Sequence, residues 1–129
     1  MSLTHLLSSR SMITSIITVV ALVGVALLVA RAQSSFADPA KVKQLVKEGA
    51  LLVDVRSPQE FASGHIKGAK NIPVSEVATR LKEFGDTQKP IVVYCRSGAR
   101  SARAQSTLKG AGFTQVYNLG GMNRWPTTP

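Results

Sequence analysis

Val92-Val93-Tyr94-Cys95-Arg96-Ser97-Gly98-Ala99-Arg100-Ser101 is the stretch around which the chain is organised. Residues 90–94 are an apolar run that reads as a short buried strand, and a helix is expected from about Ser101. Between them lie the only cysteine of the protein and two arginines. A thiol at the end of a strand, facing a helix N-terminus, sits where backbone N–H groups and the helix dipole favour negative charge. Arg96 and Arg100 add positive charge beside it. Each of these favours the thiolate, which is the nucleophilic form of cysteine. A lone cysteine is more often a small buried hydrophobe. The charged, small and flexible neighbours of Cys95 point instead to a reactive sulfur with an anion bound next to it.

Working outward, strands and helices alternate on both sides of this stretch. Asp38-Pro39 supplies an N-cap followed by proline at the first helical position. Val42, Leu45 and Val46 then share one face, and Gly49 closes the helix. Leu51-Leu52-Val53-Asp54-Val55 is an apolar run broken by one carboxylate, as suits a parallel strand covered on both faces. Ser57-Pro58-Gln59-Glu60 opens a short helix, which Gly64 ends. Residues 69–72 are a short strand. Ser75 is expected to cap a helix over 75–84 with Val77, Leu81 and Phe84 inward. The helix after Cys95 spans about 101–109, and 115–119 is the last strand. Gly120-Gly121 then turns the chain toward Trp125. Short connections between alternating helices and strands predict an α/β domain around a mainly parallel sheet. Ligands of such sheets bind beyond the carboxyl ends of the strands. Asp54, Arg56 and Cys95 all fall there, so they are expected on one face despite some forty residues of separation.

The N-terminal part is different. Residues 11–30 carry no charge and are rich in Ile, Val, Leu and Ala. As a helix they would measure about 30 Å, the thickness of a bilayer core. The reading is a tail over 1–10, a transmembrane anchor or uncleaved signal over 11–30, a tether over 31–37 and a domain over 38–129. Ala30-Arg31-Ala32 and Ser35-Phe36-Ala37 are alternative cleavage sites for a removed signal. Arg31, Lys41, Lys43 and Lys47 after the span favour a cytoplasmic domain by charge count. The signal-like layout favours export, which in a bacterial cell would place the domain on the periplasmic side of the inner membrane.

Sixteen Lys and Arg against seven acidic residues leave a net charge of +9, which favours anionic partners. There is no basic run of five and no aromatic platform, so nucleic acid is not expected as a partner. One cysteine excludes an internal disulfide and a Cys-X-X-Cys pair, and two histidines, His5 and His65, leave no metal-ligand cluster.

Several motifs resemble those of the single-domain rhodaneses: Asp54-Val55-Arg56, Glu60-Phe61, Gly64-His65-Ile66, Gly68-Ala69, Asn71-Ile72-Pro73, the loop from Tyr94 to Ser101, and Gly120-Gly121. They run in the family's order and spacing over about residues 38–126, and the membrane-proximal bacterial sulfurtransferases are the most similar in layout. The resemblance implies a five-stranded parallel sheet with helices on both faces. It implies a sulfurtransferase in which Cys95 forms a persulfide, drawing sulfur from a thiosulfate-like anion and passing it to cyanide or a thiol. Arg96, Ser97, Gly98, Ala99, Arg100 and Ser101 would surround the sulfur and its donor. Arg100, with Arg96, would hold the donor's oxyanion. Asp54 would brace backbone or Arg56, His65 would not act as a base, and Trp125 would cap the core. No cofactor or metal is implied, and the domain is taken as a monomer.

Phosphatases and arsenate reductases of related fold carry five residues between Cys and Arg, whereas this loop has four, a smaller cradle suited to sulfur. A sulfur carrier without turnover, or an anchored module whose basic face meets lipid headgroups, are the readings from other functional classes.

Overall fold

A computed structural model describes residues 3–33 and 36–127, with side chains at 9–28 and 36–127. The chain divides into two compact units, one ending at residue 35 and one starting at Phe36. The first is a single helix, α1 (Leu3–Gln33), longer at both ends than the 11–30 span. Within it Ser9–Leu28 is long and apolar enough to cross a membrane, a test that a signal sequence also passes. The tether positions 34 and 35, with the Ser35 cleavage site, lie outside the described residues, as do residues 1–2 and 128–129.

The second unit is a parallel sheet of β1 (Leu51–Asp54), β2 (Lys70–Asn71), β3 (Ile91–Cys95) and β4 (Val116–Gly121), in the order β2-β1-β3-β4. Its helices are α2 (Pro39–Lys47), α3 (Pro58–Ala62) and α4 (Ala99–Gly110). The side chains of β1 and β3 alternate between two cores, as the period of two demands. Val53, Val55, Ile91, Val93 and Cys95 face α4 with Ala104 and Leu108, together with Val77 and Phe84. Leu52, Val92 and Tyr94 face the other side with Val42 of α2 and Leu119, where Trp125 and Met122 pack over them. Helices therefore cover both faces, and Trp125 closes the second core.

Four strands stand where five were expected. Along the outer side of β4 the chain makes one backbone bond, from Ala37 N–H to the Asn118 carbonyl at 2.7 Å. Asp38 starts α2 immediately afterwards, with its carboxylate accepting the Lys41 N–H. A capping residue so close to the edge leaves no length for a ladder in residues 36–37.

Residues 75–84 form two 3-10 turns, Val74–Thr79 and Leu81–Phe84, in place of one α-helix. No side chain caps the first turn, so Ser75 does not act as expected. Its start is fixed instead by Val74 N–H donating to the Val55 carbonyl at 3.0 Å. The inward residues are spaced by three, Val74 to Val77 and Leu81 to Phe84, which matches a three-residue turn. Arg80 lies between the turns and pairs with Glu76 and Glu83, one from each. Gly120-Gly121 is also not a turn: both glycines belong to β4, opposite Tyr94 and Cys95.

Candidate active site

Cys95 is the last residue of β3 and is completely buried. After it the chain turns through residues 96–98 into α4, which begins at Ala99, two residues earlier than expected. Gly98 is the N-cap at φ +101, a backbone region that only glycine adopts at little cost. That conformation aims the Gly98 N–H back at Cys95 Sγ, 3.0 Å away. Ser101, in the first turn of α4, places its hydroxyl 3.4 Å from Sγ and 3.1 Å from the Gly98 carbonyl. One hydroxyl hydrogen serves either acceptor. With a thiol, S–H can donate to Ser101 Oγ, whose own hydrogen goes to the carbonyl. With a thiolate, the hydroxyl hydrogen turns to sulfur.

Burial pushes the Cys95 thiol up. Hydrogen bonds from the Ser101 hydroxyl and from the N–H groups of Ser101, Gly98 and Ser97 outweigh it, and the net direction is down. Donors that touch the sulfur thus lead the shift, rather than the charges of the two loop arginines. Alkylation of Cys95 by a neutral haloacetamide should accordingly show a pH midpoint below the ordinary thiol value of about 8.5. A midpoint at or above that value would mean that burial dominates.

The arginines have separate surroundings. Arg100 forms a two-pronged ion pair with Glu60, at 2.6 and 2.9 Å. Glu60 also accepts the Ser57 N–H at 3.0 Å, completing the capping box of α3. The Arg100 fork holds the Glu60 carboxyl far below the usual carboxylate range, with the Ser57 N–H adding to the effect. Arg96 is exposed, and among the described residues no carboxylate forms an ion pair with it. It lines a cleft of about 470 Å³ with Arg56, Glu60, Ser63, Met122 and Asn123.

Asp54 and Arg56 reach the same end of the sheet as Cys95. Asp54 is fully buried and accepts the Arg56 N–H at 2.9 Å, its Nε at 3.0 Å and its terminal amine at 2.6 Å. Arg56 also donates to the Gly64 carbonyl at 2.7 Å. Asp54 is therefore a brace for Arg56. His65 is exposed, stacked on Phe61 with ring centres 3.7 Å apart, and its Nδ1 lies 2.9 Å from the Phe61 carbonyl.

Behind the loop, β4 carries a bulge. Val93 pairs with Asn118 and Tyr94 with Gly120, leaving Leu119 as the extra residue. The Asn118 side chain accepts the Gly120 N–H at 2.9 Å. Gly121 must be small, because a Cβ there would lie 2.6 Å from the Arg96 carbonyl oxygen.

Residues 38–128 match the rhodanese-like domain family. The chain belongs to that family. The rhodanese-like domain is 41% identical over 91 residues to the thiosulfate sulfurtransferase GlpE of Pseudomonas syringae, covering 70% of this chain and 85% of that protein. It is 49% identical over 77 residues to the protein YqhL of Bacillus subtilis, spanning 59% of this chain and 60% of that one. Among solved structures, the human single-domain sulfurtransferase TSTD1 superposes with a TM-score of 0.62 at 30% identity, covering 68% of this chain and 90% of that chain. The domain is a rhodanese-type sulfurtransferase.

Glu60 as the partner of Arg100, Asn118 under the loop, and Phe36 beside it were not anticipated from sequence. For Glu60 and Asn118 no local signal existed. For Phe36 the signal was the one aromatic residue in the tether over 31–37.

Proposed function

We propose that Cys95 carries sulfane sulfur from thiosulfate or a related anion to a thiophilic acceptor through a persulfide. The Cys95 thiolate attacks the outer sulfur of the donor. A new S–S bond forms, the donor's S–S bond breaks, and sulfite leaves with the electron pair. Cyanide or an acceptor thiolate then attacks the outer sulfur of the persulfide, and the Cys95 thiolate leaves. The observation that carries this reading is the sulfur itself: buried at the head of a parallel strand, accepting the Gly98 N–H at 3.0 Å and paired with the Ser101 hydroxyl. The thiosulfate sulfurtransferases among its relatives support the donor class. Intact-mass measurement after incubation with thiosulfate tests it. One added sulfur, removed by cyanide, is the expected result, and an unchanged mass refutes the persulfide.

Arg96 is the residue we assign to the donor's oxyanion, with Arg100 supporting the loop through Glu60. The charge of Arg100 is already matched by Glu60. Arg96→Ala should raise the KM for thiosulfate about tenfold, the scale of one hydrogen bond to a charged group. Arg100→Ala should raise it only about threefold while lowering the thermal midpoint. Steady-state kinetics with cyanide as acceptor compare the two, and the opposite ranking would return the anion to Arg100. The remaining loop residues, Ser97, Gly98, Ala99 and Ser101, form the cradle around the transferred sulfur. The α1 helix serves in this proposal as a retained anchor, with the domain on the periplasmic side. Its exposed apolar side chains over 12–28 support membrane insertion.

A further inference from the structure

The start of the domain is clasped to the end of β4. Ala37 N–H donates to the Asn118 carbonyl at 2.7 Å. Arg124 Nε donates to the Leu119 carbonyl at 2.8 Å, and its terminal amine donates to the Ala37 carbonyl at 3.2 Å. The same guanidinium lies 5.2 Å from the centre of the Phe36 ring, within cation–π range. The ring in turn is seated on two glycines. A Cβ at Gly120 would meet it at 3.1 Å, and a Cβ at Gly98 would collide with its far edge. Gly98 is the loop residue whose N–H points at Cys95 Sγ.

We propose that Phe36, held by Arg124, is a positioning residue for the sulfur loop: its ring backs Gly98 and thereby aims the N–H that Cys95 Sγ accepts. The inference rests on the reading of Cys95 as the sulfur-carrying nucleophile. Gly98 has no side chain to restrict it, and no side chain caps the helix it starts. Glycine at φ +101 is the most permissive point of the loop, so its direction must be set by what packs against it. Hydrogen bonds weaken steeply as their angle closes, so a small rotation of this peptide costs the thiolate a donor. Phe36 is not among the residues lining the cleft beside Arg96, and it acts through Gly98. Two glycines, 98 and 120, form the seat, and a larger residue at either would push the ring out. Phe36 is also the first described residue after α1, so the chain entering the domain is part of the wall behind the loop.

The test uses the full-length protein in detergent and its single thiol. Cys95 is alkylated with iodoacetamide across pH in the parent, Phe36→Ala, Phe36→Leu and Arg124→Gln. The Phe36 variants retain Arg96, Arg100, Glu60, Asp54, Arg56 and Arg124, the charged groups around the loop. Arg124→Gln removes one cation, whose direct effect on the midpoint is screened by repeating the titration at high salt. The midpoint reports the donors on sulfur, whereas the plateau rate reports access to it. Phe36→Ala should raise the midpoint by about half to one unit, threefold to tenfold less thiolate at neutral pH. Arg124→Gln should move it the same way by about half as much, and Phe36→Leu, which refills the seat, should restore most of it. A Phe36→Ala midpoint within about 0.2 of the parent, with only thermal stability lowered, overturns the proposal and leaves the ring as core filling. If Phe36→Ala does not fold, Arg124→Gln decides, and an unshifted midpoint there overturns it equally. A parent protein that takes no sulfur from thiosulfate would refute the persulfide instead. The alkylation comparison would still stand, because it needs only the thiolate.

Discussion

Cys95→Ser should abolish sulfur transfer, with a loss of more than about a thousandfold, while the domain stays folded. The sulfur supplies both properties that the reaction needs: a pKa low enough to ionise and a bond to sulfur that can be made and broken. A serine hydroxyl ionises far above neutral pH, and no base stands ready to help it. His65, the domain's one histidine, is stacked on Phe61 with its Nδ1 facing the Phe61 carbonyl. No other thiol exists in the chain to take over. The fold should tolerate the change, because the smaller oxygen can still accept the Gly98 N–H and bond to Ser101. The stability cost should be about 1 kcal/mol, in line with a small change of volume in a core. Thiosulfate:cyanide turnover and urea unfolding, measured side by side, check both halves. Activity within tenfold of the parent would remove Cys95 from the mechanism.

The largest effect on stability should come from Asp54→Ala. The Asp54 carboxylate has no exposed surface and the Arg56 side chain has 7%. Three donors of Arg56 end on the carboxylate, and the hydrogen bond to it is what holds the Arg56 pKa above its ordinary value. Removing the carboxylate leaves a buried guanidinium held by the Gly64 carbonyl and the face of the Tyr94 ring, with no negative charge to match it. Breaking a buried pair in this way costs about 3–5 kcal/mol. A small domain has only about 5–15 kcal/mol in total, so the thermal midpoint should fall by on the order of 15–30 °C. Asp54→Asn keeps one acceptor and should lose less. The double change Asp54→Leu with Arg56→Met removes both charges and should recover much of the loss. Denaturant unfolding of the three variants separates these cases. A loss below about 1 kcal/mol in Asp54→Ala would show that water reaches Arg56 and that the pair is not effectively buried.

The order of elements was legible because its signals are local. Asp38-Pro39 and Ser57-Pro58 satisfy helix N-terminal donors within their own first turns, so both starts can be read from a few residues. The apolar runs at 51–55 and 90–94 announce strands covered on both faces, and they are. Parallel strands with short connections then bring the ends of β1 and β3 together, which places Asp54 and Cys95 on one face without any knowledge of packing.

Contacts across the fold were not legible in the same way. Arg100 could meet a donor anion or a carboxylate, and its charge alone does not choose. The fold supplies the carboxylate: α3 sets Glu60, forty residues earlier in the chain, beside the guanidinium. The 3-10 turns over 74–84 arose likewise, since Val77 and Phe84 fit either an α or a three-residue period until the core accepted them. The fifth strand was lost to a helix cap, and the Gly120-Gly121 pair became strand by pairing with Tyr94 and Cys95, where Phe36 and Arg124 crowd Gly120 and the Arg96 carbonyl crowds Gly121. By itself the sequence determined that the one thiol lies at the end of a strand facing a helix start, and which elements carry it, because period, caps and strand ends act over a few residues. Only the tertiary structure decided who neutralises Arg100, what supports Gly98 and how Asp54 is used, because those partners are neighbours in space and strangers along the chain.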